Sequence, residues 1–391
     1  MLNFEFCSPT KIVFGKGVEA KVGQMLKEYG ATKVLFHYGG GSIKKIGLYD
    51  TVVKSLNDAG IGFVELSGVQ PNPRVSLVRE GIALCRKEGV DFLLAVGGGS
   101  VIDSTKGIGV GLKYDGDVWD LYDGTAVAVD TVPVATILTL PAAGSEASNS
   151  SVLTNDENGM KRGCNVEINR PKFSLLNPEM CYTLPKHQIA NGAADIMAHA
   201  MERYFTNTKH VELSDRMTEG LIKTVYNNAP KAIANPRDYE AQAALMWAST
   251  LAHNNVLGAD KVQDWASHNI EHELSGMFDI AHGAGLAIVF PAWMKYVYKQ
   301  DIARFCQFAN RVLDIEINVF NMEETALKAI EKLESYFASI GLPTRLSHVN
   351  IGEDSLRELA KNVKKGNGDG TLGNFVRLDE NDCYEILRLC L

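Results

Sequence analysis

The chain has 391 residues, a formal net charge of −8, and 46% hydrophobic against 22% charged residues. That length exceeds what one hydrophobic core serves, so two domains with a cleft between them are expected, and the composition excludes a disordered or low-complexity chain. The acidic balance excludes the broad basic face that nucleic-acid binding needs, so no nucleic acid is expected as a partner. The opening MLNFEFCSPT lacks a basic-then-apolar leader, and no stretch approaches the roughly 20 apolar residues of a membrane span. A cytoplasmic protein with no membrane partner is therefore expected.

In chain order, short β-rich runs at 11–14 (KIVF), 33–38 (KVLFHY), 62–66 (GFVEL), 91–96 (DFLLAV) and 132–138 (VPVATIL) predict strands. Apolar residues at three- and four-residue spacing predict helices over 17–28, 46–58, 75–88 and 101–112. Strand–helix alternation predicts a parallel sheet covered on both faces. Residues 151–176 carry a turn signal at Asn158-Gly159 between two β-rich runs, which predicts a hairpin, then a further strand near 172–176. After Thr183-Leu184-Pro185 nearly every segment reads as helix, with glycine and proline expected at boundaries such as Gly283 and Pro291. The expected architecture is an α/β, Rossmann-like dinucleotide-binding domain over 1–185 and an all-helical domain over 186–391. Residues 366–375 read as a surface loop before a last helix near 379–390, and no solenoid repeat is present. The seven cysteines are scattered with no C-x-x-C and are expected to be reduced.

Val96-Gly97-Gly98-Gly99-Ser100 closes a strand and opens a helix, so backbone N–H groups and the positive helix end can face a pyrophosphate without Cβ obstruction. Tyr38-Gly39-Gly40-Gly41-Ser42 follows an earlier strand, where an NAD-binding fold tends to offer a carboxylate to the adenosine ribose. None is present, and small residues with Lys44 and Lys45 nearby leave room and positive charge for a 2′-phosphate, which points to NADP(H).

The nine histidines are unevenly placed, three of them within fifteen residues. Asp195 and His199 are four apart on an apparent helix, which stacks them on one face. His268 and His272 repeat that spacing, and His282 follows what reads as a helix break at Gly276. A carboxylate with several imidazoles suits one divalent metal, Fe2+ or Zn2+, with a coordination position left open. His37, His187, His210, His253 and His348 read as ordinary core or surface residues.

GGGSVIDSTKG (97–107), PAAGSEAS (141–148), ADIMAHAMERYF (194–205) and HNIEHELSGMFDIAHGAGLAIVFP (268–291) resemble, in order and spacing, the iron-containing alcohol dehydrogenase family. YGGGSIKK and the MWAST-to-QDWASH stretch look most like its butanol dehydrogenase branch of NADPH-dependent aldehyde reductases. The resemblance implies the two-domain, dehydroquinate synthase-like architecture, with Asp195, His199, His268 and His282 as metal ligands and His272 facing the nicotinamide as a non-ligand. It further implies Gly98, Gly99 and Ser100 on the pyrophosphate, Asp103 near the nicotinamide end, and Thr139 and Leu140 on the adenine side. Gly39, Gly40 and Ser42 fall around the 2′-phosphate, Lys161 becomes a further cofactor contact, and the protein is expected to be a homodimer. Many members carry T-T-A-G-T-G-S-E where this chain has Thr139–Glu146 as TLPAAGSE, with fewer hydroxyls.

The expected function is metal-dependent, NADP(H)-linked interconversion of short- to medium-chain aldehydes and alcohols by hydride transfer, with His272 and Asp103 as catalytic candidates. His272 is weighed equally as proton relay or as a residue orienting a ligand. Two rivals are a lyase or cyclase of the dehydroquinate synthase type that recycles its nucleotide, and a non-catalytic nucleotide-binding protein.

Overall fold

The computed structural model describes residues 1–391, which gather into two compact units. One comprises 7–184 with 235–250, and the other comprises 1–6, 185–234 and 251–391. Residues 235–250 are as helical in character as their neighbours, so no compositional change marks their passage from one unit to the other.

The α/β unit holds strands β1 (Lys11–Phe14), β2 (Lys33–Tyr38), β3 (Gly62–Leu66), β4 (Phe92–Gly97), β5 (Val134–Leu138), β6 (Ser150–Thr154), β7 (Lys161–Asn165) and β8 (Phe173–Leu176). Its helices are α1 (Val22–Glu28), α2 (Ser42–Lys45), α3 (Leu48–Ala59), α4 (Val75–Glu88), α5 (Gly99–Gly111) and α6 (Asp120–Asp123). Six strands form one sheet in the order β1-β8-β5-β4-β2-β3, every neighbouring pair parallel. The buried run FLLAVG of β4 is what a central strand needs when helices cover both faces. Alternate residues divide the core. Val34, Phe36, Leu94 and Val96 pack with Val22, Leu26, Val52 and Leu56 of α1 and α3, whereas Leu35, Leu93 and Val134 pack with Val78, Ile82 and Ile108 of α4 and α5.

The chain runs outward from β2 to β3, then crosses back to β4 on the other side of β2. The carboxyl ends of β2 and β4 thus flank the point where strand order reverses, the usual ligand crevice of such sheets. Tyr38 is in register with Val96, so the two glycine turns begin side by side.

Some elements differ from expectation. The helix expected over 46–58 is α3, and a short α2 that was not expected precedes it, parted from it by Ile46 and Gly47, the latter at φ 76°. The expected hairpin is present as β6–β7, an antiparallel pair outside the main sheet in which Thr154 faces Lys161. Asn158-Gly159 lies within that longer connection, where Gly159 takes φ 71°.

In the helical unit, α7 (Lys186–Tyr204), α8 (Glu212–Ala234) and the end of α9 (Tyr239–His253) precede α10 (Ala266–Phe278) and α11 (His282–Val297). Then follow α12 (Ile302–Leu313), α13 (Met322–Ser339), α14 (Leu356–Asn362) and α15 (Glu380–Arg388). α7 and α11 are buried almost throughout, and α11 packs on α7, α10, α13 and α15. A helix apolar on every side belongs at the centre of a bundle. Two expected boundaries prove internal. Pro291 lies well inside α11, and Gly276 inside α10, whose end comes at Asp279 in the left-handed region (φ 52°). Burial on all sides keeps α11 helical past a residue that would end an exposed helix.

No helix is long and apolar enough to cross a membrane. All seven cysteines are free.

His37, on β2, is the histidine of the α/β unit, fully buried, its Nδ1 2.8 Å from the Leu66 carbonyl and its Nε2 2.9 Å from Ser104 Oγ. A neutral ring satisfies both contacts by donating to the carbonyl and accepting from the hydroxyl. Burial lowers its pKa from 6.5 to about 4. Between those values the unfolded chain carries a proton the folded chain refuses, so stability is full above the higher value and falls by about 3 kcal/mol as pH drops to the lower. In urea unfolding from pH 6.5 to 4.5, wild type is expected to lose about 2 kcal/mol more than His37→Gln. Parallel pH slopes would remove His37 as a cause.

Candidate functional site

α7 carries Asp195 and His199 one turn apart, both buried. α10 contributes His268 from its first turn, and α11 opens on His282. Asp195 Oδ1 lies 3.3 Å from His199 Nδ1, 4.0 Å from His268 Nε2 and 3.7 Å from His282 Nε2. Ligand atoms of Asp195, His268 and His282 all fall within 4.8 Å of one another. His199 stands outside that tightest set, joined to it through Asp195 and through its ring, 4.6 Å from that of His268.

Two close features hold these helices in place. A Cβ at Gly283 would sit 2.0 Å from the Asn191 carbonyl oxygen of α7, so glycine permits the approach that brings His282 to Asp195. Two fully buried carboxylates then join the helices. Glu202 of α7 accepts from His268 Nδ1 at 2.7 Å, from the His268 backbone N–H at 3.0 Å and from that of Trp265 at 2.7 Å. Glu271 of α10 hydrogen-bonds His282 Nδ1 and accepts from Ser275 Oγ. Trp265 holds φ 70°, a costly conformation for a bulky residue, next to this anchor.

Sequence reasoning passed over Glu202 and Glu271, although each lies three residues after a candidate ligand, on the same helical face. It also read His253 as ordinary. The His253 ring is 4.1 Å from that of His199, brought there from the end of α9 with no spacing cue. His272 is partly exposed, its ring 5.5 Å from that of His282, and it clusters with Glu271 and His282.

The donor set fits a divalent cation. His268 Nε2 and His199 Nδ1 are buried without a hydrogen bond, where buried polar atoms are normally paired. Burial, followed by the neighbouring imidazoles of His253 and His268, holds the His199 pKa well below its ordinary range, so its ring is neutral as a ligand must be. One carboxylate and three imidazoles suit iron or zinc.

In the α/β unit, the turn after β4 places Gly98, Gly99 and Ser100 at the start of α5. A Cβ at Gly98 would lie 3.1 Å from Leu140 Cβ, and one at Gly99 3.0 Å from Ala143 Cβ, so the turn is pressed against residues 140–143 and open backbone faces the helix end. Thr139 donates its backbone N–H to the Gly97 carbonyl at 3.0 Å, which sets it and Leu140 beside this turn. After β2, Gly40 has open space where a side chain would be, and Ser42 starts α2. Lys44 lies over the rings of Tyr49 and Tyr38, 4.6 and 5.5 Å from their centroids. Lys161, on β7, donates to Asn72 Oδ1 at 3.0 Å. Asp103 accepts from Ser145 Oγ at 2.6 Å and the Val152 N–H at 3.0 Å. Burial raises its pKa against the opposing pull of Lys106.

A strand-switch crevice with two glycine turns, and a separate all-helical unit with an aspartate facing three imidazoles, define a class of nucleotide- and metal-dependent enzymes. Comparison with known proteins narrows this. Residues 9–178 match the family described as iron-containing alcohol dehydrogenase, and 189–391 match the Fe-containing alcohol dehydrogenase family, C-terminal. The chain belongs to this family, whose members use a nicotinamide cofactor and a metal ion, and it is an alcohol/aldehyde oxidoreductase. It is 44% identical, over all of both chains, to a protein named probable NADH-dependent butanol dehydrogenase 1 from Bacillus subtilis. It is 36% identical to the NADPH-dependent aldehyde reductase YqhD of Escherichia coli, over 93% of this chain and 94% of that one. A solved structure of NADH-dependent butanol dehydrogenase A from Thermotoga maritima superposes with a TM-score of 0.97 at 42% identity, covering 100% of this chain and 99% of that one.

Gly283→Ala is expected to force α11 from α7, at a cost of about 2 kcal/mol or more in chemical denaturation, and to weaken divalent-metal binding in the same preparation. A variant equal to wild type in both would show that this contact does not set the site.

Proposed function

We propose that the protein interconverts short- to medium-chain aldehydes and primary alcohols with NADP(H), using one divalent cation, Fe2+ or Zn2+, held by Asp195, His199, His268 and His282. The observation that carries this reading is the single buried oxygen, Asp195 Oδ1, facing three imidazole nitrogens at 3.3 to 4.0 Å. A cation bound there would polarise a carbonyl oxygen, and the reduced nicotinamide would supply the hydride.

The chain's own residues do the rest. Gly98, Gly99 and Ser100 receive the pyrophosphate at the start of α5, while Thr139 and Leu140 flank that turn towards the adenine side and Lys161 adds positive charge. Asp103 acts at the nicotinamide end by fixing Ser145 and Val152, which shapes the adjoining segment. His272 carries a proton between the alkoxide oxygen and solvent, a role that its partial exposure beside His282 supports. The protein works as a homodimer joined through the exposed edge of β1, the terminal strand of the sheet.

NADP(H) in place of NAD(H) rests on the end of β2. Gly39, Gly40 and Ser42 offer no carboxylate to a ribose diol. The neighbouring carboxylate, Glu65 on β3, already accepts from the hydroxyls of Tyr38 at 2.8 Å and Tyr49 at 2.6 Å. The relatives' names divide between the two nucleotides, so this preference is a matter of these few side chains.

Two measurements test the reading. Asp195→Ala should reduce bound metal from about one equivalent to near zero and turnover by more than about 10³-fold, with nucleotide affinity within a few-fold of wild type. Retained metal in that variant would remove the assignment. Wild type should favour NADPH over NADH in kcat/KM by about tenfold or more, and Gly40→Asp, which has room for its side chain, should raise KM for NADPH by at least about tenfold while sparing NADH. Equal use of both nucleotides by wild type would overturn the NADP(H) assignment.

A further inference from the structure

Two of the four candidate ligands share a feature that Asp195 and His199 lack. His268 and His282 each turn Nδ1 towards a fully buried carboxylate, Glu202 and Glu271 respectively, and each turns Nε2 towards Asp195 Oδ1. A carboxylate at hydrogen-bond distance accepts from an Nδ1–H, and a neutral imidazole has just one N–H. Its lone pair is then at Nε2, aimed at the centre. The two carboxylates reach their imidazoles from different helices, Glu202 from α7 to α10 and Glu271 from α10 to α11.

We propose that Glu202 and Glu271 are positioning residues that fix the tautomer and ring orientation of His268 and His282, and so preset the cation site before any cation arrives. The inference rests on the cation assignment made above. Further contacts bear it out. Glu202 also accepts from the backbone N–H groups of Trp265 and His268, so the start of α10 cannot shift without giving up three hydrogen bonds to one carboxylate. Glu271 is seated against α11, where a Cβ at Gly285 would lie 2.5 Å from Glu271 Oε1, and Ser275 Oγ binds the same oxygen. Each carboxylate acts through an imidazole, raising its basicity as a ligand and removing the rotation that ligand binding would otherwise have to arrest.

The test uses the full-length protein stripped of metal, with Zn2+ affinity read by competition with a chromophoric chelator, for wild type, Asp195→Ala, Glu271→Ala, Glu271→Gln and Glu202→Gln. Glu271→Ala is expected to weaken Zn2+ binding by about 10- to 100-fold. Glu271→Gln, whose amide oxygen can still accept from Nδ1, should recover part of that loss, and Glu202→Gln should fall in the same intermediate range. Long-range 1H–15N spectra of metal-free wild type should show His268 and His282 protonated at Nδ1 and bare at Nε2, a signature that needs no variant to fold. Wild-type affinity in a folded Glu271→Ala, or Nε2–H tautomers in the metal-free protein, would overturn the proposal. If wild type binds no Zn2+, or Asp195→Ala binds it as well as wild type, the cation assignment itself falls. If Asp195→Ala loses Zn2+ and Glu271→Ala does not, only the positioning role falls.

Discussion

Burying a carboxylate among apolar helices costs several kcal/mol unless hydrogen-bond donors surround it, and the helical unit is organised by that requirement. Glu202 and Glu271 are fully buried, and donors from neighbouring elements reach both: the start of α10 for Glu202, and His282 at the head of α11, alongside Ser275 of its own helix, for Glu271. Each carboxylate is therefore well solvated in one arrangement of helices and poorly in any other. The glycines of His282-Gly283-Ala284-Gly285 follow from the same constraint. Gly283 lets α11 meet the Asn191 carbonyl, and Gly285 lets it meet Glu271. Neither has a positive φ, so both serve close approach and not chain reversal.

The α/β unit solves a comparable problem with a buried cation. Lys106 of α5 is fully buried, and its Nζ lies 2.7 to 3.0 Å from the carbonyl oxygens of Ser145, Ser148 and Ser150 and from Ser145 Oγ. Burial lowers its pKa from 10.5 to about 8, against the attraction of Asp103 and Glu146. Together with Asp103 it ties residues 145–152 to the helix that begins at the glycine turn after β4. Residues 140–143, just before that segment, are where the chain departs from the more hydroxylated stretch of many family members. The anchoring runs through backbone carbonyls and Ser145, so it survives the replacement of two threonines by Leu140 and Ala143.

The sheet was legible because its strands are buried on both faces and read as continuous apolar runs: KVLFHY and FLLAVG lie within one residue of their expected bounds. Asp195 with His199 was legible because i, i+4 spacing is local. What failed was tertiary. Gly276 and Pro291 look like helix ends when only sequence is weighed, yet each sits inside a helix whose surroundings supply the packing that propensity lacks. His253 and His199 lie far apart in the chain, and a lone histidine at a helix end gives no sign of the ring it meets. Glu202 and Glu271 stand at helical spacing from candidate ligands, but so do many solvated glutamates, and only burial distinguishes them.

Nucleotide choice illustrates the limit of fold as an argument. Relatives matched over nearly the whole chain carry names for both NADH and NADPH, so the shared fold does not by itself choose between them. What remains to discriminate is the handful of groups at the end of β2. A ribose diol needs an acceptor, whereas a 2′-phosphate needs space and donors. Here the carboxylate of Glu65 is drawn to two tyrosine hydroxyls, strongly enough that the pKa of Tyr49 is pushed up to about 12. Lys44 lies across the same two rings, its charge close to the turn. Glu65 is thus an acceptor already engaged, beside a cation and a row of glycines, and the NADP(H) preference proposed above rests on that arrangement.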